Sequence, residues 1–282
     1  MIKHHQEILS TIDSDMLIDQ RLMGGMSNYT YLVTKNNKKY VFRIPGEGGF
    51  NFVDYNQEEK NLQLVDKLNI NTKVIYLNPT FGYKISEYIE GNIIDNTVDL
   101  NKVSMLLKTL HTNKVKFQHD YGHFKRLEKY EAIHTDNNDE YFILKEQFKK
   151  LYESNLIMNL GVPCHNDAQI ANIIIDNDQN LHLLDWEFAA NNDPIYDIAS
   201  FGNKDFNQAL GLLEHYFDNP TNDHYLRLYA WRMFQCLQWY NVATFKQEVG
   251  LSKKLDVDFE KIAQMYITLA QTMYDNALKY LN

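Results

Sequence analysis

The chain has 282 residues, of which 44% are hydrophobic and 23% charged, with a formal net charge of −9. That is enough apolar content for one large domain or two lobes; it offers no basic stripe for a nucleic-acid partner and no stretch near the roughly 18 apolar residues of a membrane span. Its two cysteines, Cys164 and Cys236, form neither a disulfide framework nor a CxxC pair, and Met1-Ile2-Lys3-His4-His5 lacks the apolar run of a secretory signal, so a reducing cytoplasm is the expected compartment.

In chain order, residues 1 to about 19 read as a helix with a frayed start. Gln20 to Met23 then lead into Gly24-Gly25-Met26-Ser27-Asn28. Two β-rich runs, Tyr29–Thr34 and Lys39–Ile44, flank a polar Asn-Asn turn and predict a hairpin that Pro45 and Gly46 terminate. A helix is predicted at about Asn56–Leu68, with Leu62, Val65 and Leu68 on its buried side. Short strands follow at Thr72–Leu77 and Tyr83–Tyr88, and Glu90-Gly91-Asn92 reads as a connector. Beyond it the pattern is helical. Val103, Leu106, Leu107 and Leu110 keep an i, i+3, i+4, i+7 spacing, as do Cys236, Trp239, Tyr240 and Ala243. One β interruption stands between them: Ile173-Ile174-Ile175, a polar turn at 176–180, and Leu181-His182-Leu183-Leu184. The expected fold class is therefore α+β in two lobes. A small antiparallel sheet carrying one helix occupies residues 1–89, a mostly helical lobe occupies 90–282, and a ligand cleft is expected between them.

The densest polar cluster is Cys164-His165-Asn166-Asp167-Ala168-Gln169-Ile170-Ala171-Asn172, followed by the Ile173–Ile175 run and, after the returning run, by Asp185. Phosphoryl transfer asks little of a protein: a carboxylate to orient the attacking hydroxyl and take its proton, and oxygen ligands to hold Mg²⁺ against the phosphates. Asp167 and Asn172 share one loop and Asp185 ends the returning strand. A hairpin brings both its ends to one edge, so these three can converge. HxDxxxxN followed by two apolar runs, the second ending in Asp, is far more specific than an isolated HxD, whose acids often only cap turns.

Three features upstream add to it. Gly24-Gly25-Met26-Ser27-Asn28 is either a plain turn or a loop whose backbone N–H groups face phosphate. Arg43 is a lone cation on an apolar strand, either a phosphate contact or an edge charge. Glu58, with Glu59 as its rival, sits where it can pair with Arg43 or stand as an exposed helical acid.

The segments GGMSNYTYLV, YVFRIPG, EEKNLQLV, YKISEYIEG, CHNDAQIANIII and LLDWEFAANNDPIYDIASF together resemble the choline kinases, most closely the bacterial LicA-type, within the protein-kinase-like fold group that includes the aminoglycoside phosphotransferases. The resemblance runs in order from about residue 24 to 201. It implies ATP and Mg²⁺, with Asp167 as the catalytic aspartate and Asn172 and Asp185 as metal ligands. Arg43 stands in the place of the strand-three lysine of protein kinases, with Glu58 as its partner. Gly24, Gly25, Ser27 and Asn28 form the phosphate loop, and Ser86, Glu87 and Tyr88 the hinge that meets adenine. Asp197 is implied as the buried acid that holds the catalytic loop, and His165 as a supporting residue. Many bacterial members read HNDLVPEN where this chain reads HNDAQIAN, a departure that bears on substrate preference.

The implied substrate is a small amino alcohol, with choline first and ethanolamine or an aminoglycoside as alternatives; a nucleotide-binding protein without catalysis is the competing class. A quaternary ammonium donates no hydrogen bond, so its recognition falls to aromatic faces and carboxylates. Candidates are Trp186, Glu187 and Phe188, which follow Asp185, Trp239 and Tyr240 on a late helix, and Gln169. Trp186 serves equally as a plug at the strand end, Glu187 as metal support, and Trp239 as helix-packing core.

Overall fold

In the computed structural model, which describes residues 1–22, 28–46 and 53–281, the first helix is shorter than its sequence suggests. Helix α1 (Ile2–Ile12) stops at Asp13, whose backbone is extended, and the chain turns into strand β1 (Leu17–Leu22). The expected helix to residue 19 is corrected accordingly. The hairpin of β2 (Asn28–Lys35) and β3 (Lys38–Pro45) forms as predicted around Asn36 and Asn37, both with positive φ. Two left-handed residues give the turn whose twist matches the strands, and asparagine tolerates that conformation. Helix α2 (Tyr55–Val65) starts at Asp54, whose side chain caps the Asn56 and Gln57 N–H groups. Strands β4 (Val74–Leu77) and β5 (Lys84–Glu87) complete a sheet ordered β1-β2-β3-β5-β4, antiparallel throughout. The expected connector at Glu90–Asn92 contains a further strand, β6 (Gly91–Ile93).

The chain continues through α3 (Leu100–His111), α4 (His123–Glu131), α5 (Asp139–Leu151), β7 (Val162–Cys164), β8 (Ile173–Asp176), β9 (Leu181–Leu183) and β10 (Ala190–Asn192). It ends with α6 (Pro194–Phe201), α7 (Phe206–Tyr216), α8 (Asn222–Glu248), α9 (Leu251–Leu255) and α10 (Phe259–Leu278). These elements form two compact units, Met1–Val98 with Ile170–Ala189 and Asp99–Gln169 with Ala190–Asn282.

In the first unit, Leu9 and Met16 join Tyr31, Val33, Phe42, Ile44 and Ile85 in one apolar cluster. Side chains alternate across a strand, so with Phe42 and Ile44 turned toward α1, Arg43 leaves the opposite face, where α2 supplies Glu58. β6, β8 and β9 make a separate three-stranded sheet. Gly91 is required there: a Cβ at this position would lie 2.1 Å from the Ile175 carbonyl oxygen.

The second unit is built on α8, which is buried along most of its 27 residues and packs against α4, α5, α6 and α10. Asp193, the N-cap of α6, ties the two helices together: Arg227 Nε and Nη2 donate to it at 2.8 and 2.6 Å, and Trp231 Nε1 at 2.8 Å. Beside this, His123 stacks on Trp231, with ring centroids 4.6 Å apart, and meets Phe234 edge-on. Burial pushes its pKa down to about 3, helped by Arg126 and opposed by a hydrogen bond with Asn192. The imidazole therefore stays neutral when folded but protonates below 6.5 when unfolded, so its contribution to stability is intact above pH 6.5 and is lost as pH falls toward 3. We expect His123→Phe, which keeps a ring on Trp231, to flatten the pH dependence of urea unfolding in that window by about 1.4 kcal/mol per pH unit. Equal slopes for variant and parent contradict the assignment.

Candidate active site

Arg43 is 5% exposed, hydrogen-bonds two acids and lies close to a third. Its Nη2 lies 2.5 Å from Glu58 Oε2 on α2, and its Nη1 lies 2.7 Å from Asp185 Oδ1 and 3.5 Å from Glu187 Oε2. The other Glu58 oxygen is held by Lys84 Nζ at 2.7 Å, and Asn28 Nδ2 donates to Glu187 Oε2 at 3.1 Å. Burial opposes ionisation of Glu58, but Arg43 and Lys84 outweigh it and hold the carboxyl down to about 2. Burial also opposes the charge of Arg43, and Glu58, Asp185 and Glu187 more than offset it. Glu187 goes the other way: burial, then the Asp185 charge, push it up to about 8 against Arg43 and the Asn28 hydrogen bond.

The β8–β9 hairpin sets the acid side of this cluster. Ile173 pairs with Leu183, and the Leu184 N–H donates to the Asn172 carbonyl at 2.8 Å, so Asn172 and Asp185 flank the same hairpin end. Asp185 is left-handed, at φ 62°, and opens the short turn Trp186–Phe188. Two oxygen-bearing side chains at one hairpin end, with the Arg43 guanidinium beside Asp185, are a donor set that fits Mg²⁺ with nucleotide phosphates.

In the second unit the segment His165-Asn166-Asp167 follows β7 and hangs on Asp197 of α6. The fully buried Asp197 accepts from the His165 N–H at 2.8 Å and the Asn166 N–H at 2.6 Å, and lies 2.9 Å from His111 Nε2. Asn166 has φ 63°; its Nδ2 donates to the Ala190 carbonyl and its Oδ1 accepts from Asn192 at 2.7 Å. His165 is buried, and its Nδ1 accepts from the Asp167 N–H at 3.3 Å. Gln169 Nε2 donates to both Asp167 oxygens at 3.1 Å, while its Oε1 accepts from Asn203 Nδ2 at 2.7 Å. The Asp167 carboxyl is thus presented by a loop whose backbone is fixed from behind, the preorganisation that proton-transfer chemistry uses.

Of the two rival acids, the ion pair with Arg43 falls to Glu58; Glu59 instead borders a groove with Leu62, Asp66 and Tyr76. Gly24, Gly25 and Ser27 lie outside the described residues. Ser86 is buried within β5, the N–H of Glu87 at its end donates to the Lys73 carbonyl at 2.9 Å, and the Tyr88 N–H reaches the Lys39 carbonyl only at 3.4 Å. Trp186 is a plug: its ring is buried and its Nε1 donates to the Leu183 carbonyl. Phe188 is partly exposed, as is Trp239 on α8, while Tyr240 is buried, stacked on Tyr141 and bonded to Asp136. Sequence reasoning missed Lys84, His111 and Asn203. The only linear signal for Lys84 is a lysine opening an apolar strand, and its partners become visible only with the strand register.

A five-stranded antiparallel sheet with an acid-bearing helix, followed by a mostly helical remainder whose His-Asn-Asp loop hangs on a buried aspartate, is a protein-kinase-like fold. The chain belongs to the phosphotransferase enzyme family, which it matches over residues 20–231. It is 24% identical over 274 residues to protein LicA of Haemophilus influenzae, covering 86% of this chain and 79% of that protein. The crystal structure of choline kinase LicA from Streptococcus pneumoniae, 24% identical, superposes with a TM-score of 0.80 over 97% of this chain and 98% of that one. A spectinomycin phosphotransferase in complex with ADP and spectinomycin, 14% identical, superposes with a TM-score of 0.60 over 97% and 98% of the two chains. At these identities the structural likeness establishes the shared fold.

Proposed function

We propose that this phosphotransferase is an ATP-dependent choline kinase of the cytoplasm, with residues 1–89 as its nucleotide lobe and 90–282 as its substrate lobe. The observation that carries the reading is Arg43 held between Glu58 and Asp185, a buried cation fixed beside the hairpin end where oxygen ligands gather. A solvated edge charge has no need of two such partners. In this reading Arg43, the Gly24–Asn28 segment and the Ser86–Tyr88 backbone bind ATP, and Asn172 and Asp185 hold Mg²⁺. The metal supplies charge neutralisation on the phosphate oxygens when bound. Asp167 orients the substrate hydroxyl and takes its proton, Gln169 steadies that carboxylate, and transfer is direct and in line without a phosphoenzyme.

Choline as the alcohol rests on the likeness to LicA proteins and to a choline kinase. Phe188 and Trp239 are the candidate aromatics that stay partly exposed and so open to a quaternary ammonium, whereas Trp186 and Tyr240 are buried. An aromatic face attracts either ammonium but leaves the N–H groups of ethanolamine without strong acceptors, so choline is expected to exceed ethanolamine by about tenfold in kcat/KM. An ADP-release assay over choline, ethanolamine and a panel of aminoglycosides that includes spectinomycin tests this. Turnover of choline above ethanolamine, with none of the antibiotics, is expected. Turnover of antibiotics alone reassigns the substrate, and ATP binding without turnover of any alcohol reassigns the chain to non-catalytic nucleotide binders.

A further inference from the structure

The cluster around Arg43 contains a second cation to which the kinase reading assigns no role. Lys84 opens β5 directly opposite Arg43 in the β3–β5 pairing, so the two side chains leave the same face of the sheet. Lys84 is 9% exposed, its Nζ 2.7 Å from Glu58 Oε1 and 4.0 Å from Asp185 Oδ1. Glu58 is therefore shared, one oxygen to each cation. Arg43 alone already satisfies Glu58 as an ion-pair partner, and burying a lysine is costly. What the second cation changes is the balance of formal charge. Among the described residues, Arg43 and Lys84 stand against Glu58 and Asp185, the two carboxylates that both of them approach; without Lys84, one cation faces both acids.

We propose that Lys84 is a positioning residue of the phosphate site. It tethers the free oxygen of Glu58, which fixes the plane in which that carboxylate presents Arg43, and its charge keeps the cluster receptive to an anionic ligand beside Asp185. The proposal rests on the nucleotide reading above and makes a separate prediction. Loss of the Lys84 charge affects two ligands with opposite sign: a polyphosphate without metal is repelled by the excess acid, whereas a divalent cation alone is attracted by it. A lysine with a purely structural role moves both affinities in the same direction or neither.

The test uses the full chain, titrated calorimetrically with ADP in EDTA and, separately, with Mn²⁺ followed by electron paramagnetic resonance. For Lys84→Met we expect ADP to bind about tenfold more weakly and Mn²⁺ several-fold more tightly, with Lys84→Arg bringing both back to within about threefold of the parent. Unchanged ADP affinity in Lys84→Met, or parallel weakening of both ligands, overturns the proposal. A parent chain that binds no ADP defeats the nucleotide reading itself, a distinguishable result. Should Lys84→Met fail to fold, Glu58→Gln and Glu58→Gln/Lys84→Met make the same comparison with one charge of each sign removed, and the same opposed shifts are required.

Discussion

Asp167→Asn is expected to lower kcat with choline by about 10³-fold while leaving ADP affinity within about twofold of the parent. The substitution is nearly isosteric and the loop gives it little room to move. Asp197 holds the two preceding N–H groups, and the N–H of residue 167 itself donates to His165 Nδ1, whatever the side chain. What changes is the chemistry of two atoms. A carboxylate accepts the hydroxyl proton and an amide does not. The amide also meets Gln169 badly. Gln169 Nε2 now donates to both Asp167 oxygens, and the glutamine cannot turn its oxygen inward without giving up Asn203. One N–H of Gln169 then faces an NH₂ group, a repulsion that adds to the loss of the base. Because Gln169 and Asn203 belong to the same chain of bonds, Asn203→Ala added to Asp167→Asn should have much less effect than Asn203→Ala alone, a coupling that a double-mutant cycle in kcat reads directly. Wild-type turnover by Asp167→Asn removes Asp167 from the reaction.

How far this architecture is legible in the chain depends on the range of the interactions that carry it. The β2–β3 hairpin is readable because its determinants are local: two apolar runs and two asparagines able to sit at positive φ. The nearness of Asn172 to Asp185 is readable for the same reason, since the two residues flank one end of the β8–β9 hairpin. β1 is not readable. Leu17-Ile18-Asp19-Gln20-Arg21-Leu22 lacks clean alternation, and it becomes a strand only because β2 offers it an edge. Gly91 looks like a linker glycine, yet it is there because Ile175, far along the chain, passes too close for a Cβ. Glu58 and Glu59 are equivalent in sequence, and only the fold shows that Glu58 is the one buried against Arg43. The candidate substrate aromatics are the least legible, since a tryptophan at strand end reads the same whether it meets a ligand or, as Trp186 does, is buried with its Nε1 on the Leu183 carbonyl.

Asp185→Asn is expected to abolish metal-dependent turnover, with a fall of about 10³-fold or more in kcat at saturating nucleotide, and to do so in a way that separates it from Asp167→Asn. Asparagine is the right replacement because residue 185 sits at φ 62°, a conformation asparagine adopts readily and alanine only at about 1–2 kcal/mol. The backbone of the Trp186–Phe188 turn is therefore kept, and the effect read is that of the charge. In the proposed reading, losing it takes a hard anionic ligand from Mg²⁺, whose Lewis-acid stabilisation is worth several kcal/mol. It also removes the negative charge 2.7 Å from Arg43 Nη1, which leaves Arg43 and Lys84 with Glu58 as the carboxylate they share. An anion is then better received than in the parent. We accordingly expect ADP in EDTA to bind several-fold more tightly to Asp185→Asn, and the Mg²⁺ concentration for half-maximal turnover to rise by at least tenfold. Asp167→Asn should move neither quantity by more than about twofold, because its amide replaces a proton acceptor and not a metal ligand. Tighter metal-free ADP together with a raised Mg²⁺ requirement places Asp185 on the metal side of the reaction. An unchanged Mg²⁺ requirement assigns that role to some other group and leaves Asp185 only the task of holding Arg43.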